Sequence, residues 1–156
     1  MCSSDLENIY TPEFVLNGKE WHDWFGLRGT PSSTASKPGV LKVSSGDGKY
    51  WSVTFMPASD NTESYEVSAA VLASNLSSDI KAGENAGRHL NHDFAVLSLI
   101  TRPLTIQTNG LASKFIIDRE PKGISGHLAL AVWVTRAGQL EPLQATGGWL
   151  PIPEKN

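Results

Sequence analysis

Four short stretches carry residues whose chemistry and spacing invite a reaction. Cys2-Ser3-Ser4 sets a thiol beside two hydroxyls, and a thiolate is the nucleophile of disulfide exchange. Exchange also needs a second thiol to resolve the mixed disulfide, and Cys2 is the only cysteine in the chain. His89, His92 and Asp93 offer imidazole and carboxylate donors that suit zinc. Their spacing in a strand or turn does not converge on one ion, and His22 and His127 show no link to them, so polar edge positions are the simpler reading. Gly123-Ile124-Ser125-Gly126-His127 echoes the Gly-x-Ser-x-Gly nucleophile elbow, with His127 in place of the last glycine. It also lies between strands, where the elbow needs a strand-to-helix turn. In Gly83-Glu84-Asn85-Ala86-Gly87-Arg88 the glycines would let the backbone approach an anion and Arg88 could hold it bidentately. That stretch has no Gly-Lys-Ser/Thr and precedes no helix pattern, so a structural turn is the expectation there. No catalytic residue, metal ligand or cofactor is assigned.

Aromatic residues form the remaining chemical resource. Exposed aromatic faces hold sugars and peptides on β-sandwiches, and the chain has five tryptophans. Trp51 and Trp133 fall inside strand patterns and are expected in the core, whereas Trp21, Trp24 and Trp149 flank loops or ends and are the candidate ligand-facing aromatics. For Trp21 and Trp24 the alternative is packing against another part of a larger protein.

The elements that must position these residues follow a period of two. Trp51, Val53 and Phe55 alternate with Ser52 and Thr54, and Tyr65, Val67, Ala69, Val71 and Ala73 share a second parity, as half-buried strands require. Asp47-Gly48 is expected to supply the positive-φ residues of a tight hairpin joining 40–45 to 50–56. HLALAVWVT is apolar on both parities and predicts a central strand. Further strands are expected in DFAVLSLI, LTIQT, SKFIID and QLEPLQA, although Phe94, Leu97 and Ile100 would also suit one side of a helix. Seven or eight short strands with frequent turns predict a mainly β chain built as an antiparallel β-sandwich.

Composition narrows the partners. Lys and Arg total 13 against 16 Asp and Glu, a net charge of −3, and the cations are dispersed, so no basic stripe exists for nucleic acid. No apolar run approaches the roughly 20 residues of a membrane span, and the first residues lack the charged and apolar regions of a signal peptide.

Two landmarks together carry a family resemblance. Tyr10-Thr11-Pro12, an apolar strand and Asn17-Gly18 resemble the hairpin of thioredoxin-like folds whose cis-proline faces the redox dithiol. The Gly83–Arg88 segment resembles the Gly-Glu-Asn-Ala-Gly-Arg motif of the family known as domain of unknown function 1223. These are secreted or exported bacterial proteins in which a thioredoxin-like domain precedes a β-rich region. The resemblance covers residues 9–149, in the family's order. It implies a cis bond at Pro12, with Thr11 and Pro12 as substrate-side supports, an exported or periplasmic location, and residues 83–88 as a structural or interdomain loop. It also implies a Cys-Ser-Ser-Cys-type motif far upstream of Thr11, which this chain lacks; Cys2 stands too close to Thr11 to belong to it.

Met1 to Leu6 match the translation of a common sequencing adapter read from a GTG start, and are expected to be non-native. The organisation expected is therefore residues 1–6 as adapter, 7–25 as a remnant of the thioredoxin-like domain, 26–38 as a Gly/Pro/Ser/Thr-rich linker and 39–156 as the sandwich. The partner implied is a missing N-terminal thioredoxin-like half. Two functions are then in view. One is the redox-inert β-rich part of a thiol-disulfide protein; the other is a noncatalytic sandwich that binds a ligand or protein.

Overall fold

The computed structural model describes residues 15–16, 19–21, 36–59, 63–108, 110–118, 124 and 126–151. The chain forms two compact units, residues 1–36 and 37–156. In the first, β1 (Val15–Leu16) pairs antiparallel with β2 (Lys19–Glu20), with Leu16 opposite Lys19. This is the hairpin that VLNGKE predicts. Thr11 and Pro12 lie outside the described residues, as do residues 1–6.

The second unit runs β3 (Gly39–Ser45), β4 (Tyr50–Pro57), β5 (Tyr65–Ser74), β6 (Leu76–Asp79), β7 (His89–His92), β8 (Ala95–Pro103), β9 (Thr105–Gln107), β10 (Gly110–Ile116), β11 (His127–Arg136) and β12 (Pro142–Trp149). Every pairing is antiparallel, and the described residues contain no helix. One sheet has the order β3-β4-β10-β9 and the other β12-β11-β5-β8, while β6 and β7 form a separate ribbon. The two large sheets thus hold eight strands, within the seven or eight expected of the sandwich.

Period-two alternation decides which side chains meet. Val53 and Phe55 point inward beside Leu41, Val43 and Leu111 of the neighbouring strands, and the other sheet presents Val67, Val71, Leu130, Val132 and Val134. These residues form one core, and Phe55 meets the edge of Tyr65 at 5.4 Å between ring centroids. Burying each such side chain is worth about 1.5–3 kcal/mol, so this face-to-face contact is the main stabilising term. The arrangement is sandwich-like. β11 sits between β5 and β12, as its two-sided apolar pattern requires.

The strand expected in DFAVLSLI forms as β8, and two other expectations need correction. The pattern Phe94, Leu97, Ile100 reflects a bulge in a strand: between Val71 and Leu72 the β5–β8 register shifts, which leaves Leu97 as the extra residue. Leu97 and Ile100 consequently both reach the core although three residues apart. Trp133 takes the parity opposite to Leu130, Val132 and Val134 and is half-buried outside the core, and Trp51 is half-buried at the core's margin. The last strand begins and ends later than QLEPLQA suggests, because it runs on through Gly147 and Gly148.

The β3–β4 turn also differs from a two-residue hairpin. Four residues separate the strands, and only Gly48 has positive φ, at 73°. Asp47 acts instead through its side chain: Oδ1 accepts the N–H groups of Tyr50 at 2.8 Å and Lys49 at 2.9 Å. Ser45 Oγ accepts the Gly48 N–H and donates to the Tyr50 carbonyl. The Tyr50 and then the Lys49 N–H hold the Asp47 carboxyl below its ordinary value. A depressed carboxyl stabilises the folded turn above the unfolded value of about 4 and loses that contribution as pH falls through the folded value. Following the Lys49 and Tyr50 amide shifts by NMR should therefore give a midpoint below the ordinary aspartate range, and Asp47→Ala should abolish the transition; a midpoint at or above that range would contradict the assignment.

Candidate functional site

The Gly83–Arg88 segment lies at the tip of an arm. β6 and β7 continue β5 and β8 in the same register on both sides of a bend, where Ser74 and Asn75 face Phe94 and Asp93. At the bend side chains replace the backbone ladder: Asn75 N–H donates to Asp93 Oδ1 at 3.0 Å, and Phe94 N–H donates to Ser74 Oγ at 3.2 Å. Asn75 and Phe94 both have positive φ, 60° and 56°. Asparagine tolerates this region, but a phenylalanine there is a strained residue held by its surroundings.

Beyond the bend the tip is closed by its own backbone. Ile80 N–H donates to the Arg88 carbonyl, Gly87 N–H to the Ile80 carbonyl, Ala86 N–H to that of Gly83, and Arg88 N–H to that of Asn85. Gly83 and Gly87 have φ of 85° and 82°, while a side chain on either would meet open space. The glycines are thus required for backbone conformation and not for a close crossing. Residues 83–88 are all exposed, and Glu84 and Arg88 have no ion-pair partner among the described residues.

The candidate metal donors separate along this arm. His89 and His92 stand on opposite faces of β7; His89 Nδ1 lies 2.8 Å from Asp79 Oδ1, and His92 Nε2 lies 2.7 Å from Ser78 Oγ. Asp93 is occupied by the Asn75 amide. The exposed His89–Asp79 pair contributes little to stability. The Ser78–His92 contact has the geometry of a nucleophile and base, yet no third residue orients His92 among the described residues.

Concavity is found at the seam between the large sheets. β3 and β12 are edge strands of different sheets, and at one end Gln144 joins them by donating Nε2–H to the Gly39 carbonyl at 3.3 Å. Away from that bond lies an apolar groove of about 190 Å³, with Val43 and Trp51 from one sheet, Leu130 and Val132 from the other, and Thr146–Pro151 along its side. Gly148 forms part of its floor. Its parity is that of the buried Leu150, and a Cβ built on it meets nothing within 4 Å, so the missing side chain is what leaves the groove open. Trp51 Nε1–H is fixed by the Gly48 carbonyl at 3.1 Å, which leaves the indole face for the groove.

Trp149 borders the groove along β12, but its parity is opposite to that of Gly148, and on the outer face of the sheet it forms an aromatic shelf. It is 59% exposed, lies 5.5 Å from Phe94 and meets His127 edge-on at 6.4 Å. The strained Phe94 therefore places its ring against Trp149 on that outer face. Among the sequence-derived candidates, Trp149 belongs to this site, residues 83–88 lie on the arm, Trp21 is half-buried in the first unit, and Trp24, Thr11 and Pro12 lie outside the described residues. Val43, Trp51 and Gly148 were not legible as site residues, since the first two read as core and glycine reads as a turn.

A family model described as a protein of unknown function (DUF1223) matches residues 2–135. This span includes the arm and most of β11; β12 follows it. No curated protein and no solved structure matches the chain.

The bend offers a direct test. Asn75→Gly should leave stability near that of the parent, whereas Asn75→Val should cost about 1–3 kcal/mol because a β-branched residue resists positive φ. Urea unfolding followed by tryptophan emission will measure both, and equal stabilities would refute the strained geometry.

Proposed function

The chain belongs to the DUF1223 family of proteins of unknown function, and from that premise we propose that residues 37–156 form a noncatalytic binding module whose groove between β3 and β12 takes an apolar group. The observation that carries this reading is Gly148, which opens an apolar recess beside the exposed Trp149. Pockets for whole small molecules enclose about 300–1,000 Å³, so a space of about 190 Å³ suits a single aliphatic side chain better. Trp51 supplies rigid apolar surface at its margin.

The resemblance noted for Thr11, Pro12 and residues 83–88 supports a wider setting. In it the module accompanies the thioredoxin-like half of an exported thiol-disulfide protein, and Thr11 and Pro12 support that half's substrate side. A single cysteine cannot cycle between dithiol and disulfide, so this chain is itself redox inert. In a dithiothreitol-driven insulin reduction assay it should give the rate of dithiothreitol alone; an acceleration abolished by Cys2→Ser would overturn this.

The groove has its own test. Titration with 8-anilinonaphthalene-1-sulfonate should shift the Trp51 Nε1–H and Gly148 amide resonances. Gly148 has no positive φ and open space at its Cβ, so Gly148→Leu should keep the fold and weaken the probe at least fivefold. Unchanged probe affinity in a folded Gly148→Leu chain would exclude the groove as a binding site.

A further inference from the structure

We propose that the occupant of the groove is an extended peptide segment of a partner protein, which adds as a strand between the free edges of β3 and β12 and sets one aliphatic side chain over Gly148. This rests on the groove being a binding site and goes further by naming what binds.

The hydrogen-bond pattern fixes which backbone groups face the seam. Leu150 N–H donates to the Leu128 carbonyl, so strand alternation turns Thr146, Gly148 and Leu150 toward β11 and Ala145, Gly147 and Trp149 toward the free edge. In the other sheet Ala58 N–H donates to the Pro38 carbonyl, so Val40, Lys42 and Ser44 face β4 while Gly39, Leu41 and Val43 face the seam. Two rows of peptide groups therefore border one groove. The N–H and C=O groups of Gly147, Trp149, Leu41 and Val43 have no backbone partner among the described residues.

The Gln144 side chain shows what fits between these rows. Its Nε2–H is given to the Gly39 carbonyl of β3, and its Oε1 accepts the Ala145 N–H of β12 at 3.1 Å. One carboxamide thus bonds both edges, as donor to one and acceptor from the other.

Edge protection is confined to the start of β12, at Pro142 and a bulge at Leu143, and to Lys42 of β3. β8 carries Arg102, Pro103 and a bulge, and β9 is only three residues long, both common guards against pairing. From Gln144 to Trp149 β12 has no charged residue, no proline and no bulge, and two consecutive glycines leave its backbone accessible. Backbone bonds would supply affinity and the recess over Gly148 a preference for an aliphatic residue, the division of labour of strand addition.

The test is amide hydrogen exchange on the full chain with an acetylated, amidated Thr-Val-Thr-Val-Thr pentapeptide, and with the same peptide N-methylated at alternate residues. Saturating pentapeptide should slow exchange at Gly147, Trp149 and Val43 at least tenfold, and the N-methylated form should not. Equal protection by both, or resonance shifts without protection, would overturn strand addition while leaving the groove's apolar binding intact. Silence from both peptides with a positive anilinonaphthalene titration would also overturn it, whereas failure of that titration as well would remove the underlying reading. Concentration-dependent protection of these amides without peptide would assign the edge to a second copy of this chain, against the proposal.

Discussion

The face-to-face contact of the two large sheets governs the rest of this structure. Val53, Phe55, Val67, Val132 and Val134 are essentially inaccessible to solvent, and they come from the middle strands of both sheets. The margins of this contact are where the molecule becomes chemically interesting. Toward β9 the inner face runs out, and Ile106, which pairs with the inward-facing Leu111, is 86% exposed. Toward β3 and β12 the sheets part beyond the Gln144–Gly39 bond, and the core opens directly into a groove. The groove is an unfinished edge of the core, which explains both its apolar lining and its small volume.

A second constraint is continuity of register. β5 and β8 extend into β6 and β7 without a slip, so the arm is held by the sandwich and only its direction changes. Changing direction interrupts the ladder, and the two amides freed at Asn75 and Phe94 are satisfied by Asp93 and Ser74. An unsatisfied amide costs on the order of 1–3 kcal/mol, so these short polar side chains are what make the bend tolerable. The positive φ of Phe94 then turns its ring toward Trp149. The bend and β12 are thereby linked through one aromatic contact.

Much of the fold was legible because alternation is a direct consequence of strand geometry. Val53, Phe55, Val67 and Val71 read as inward residues from parity alone, and the apolar run 128–134 read as a central strand. Parity fails at a bulge, which is why Leu97 and Ile100 mimicked a helix face. It is also silent where polar residues make a ribbon, as in LSSD and HLNH of the arm. The site was less legible still. Trp149 stood out as a terminal aromatic, but a groove made by two edge strands depends on tertiary pairing that no local pattern encodes, and Gly148 contributes by what it lacks.

That omission has an energetic meaning. An aliphatic side chain at position 148 would point toward Val43, Trp51, Leu130 and Val132, where burial of such a group is worth about 1.5–3 kcal/mol. The backbone there has ordinary φ and a free approach for a Cβ, so conformation does not demand glycine, in contrast to Gly83 and Gly87. Gly147 is different again, because a Cβ on it would lie 2.6 Å from the Leu130 carbonyl. The two adjacent glycines therefore serve separate ends: one lets β12 approach β11, and the other keeps the seam open. The second position thus leaves a space of the size that the side chain of the proposed occupant would fill.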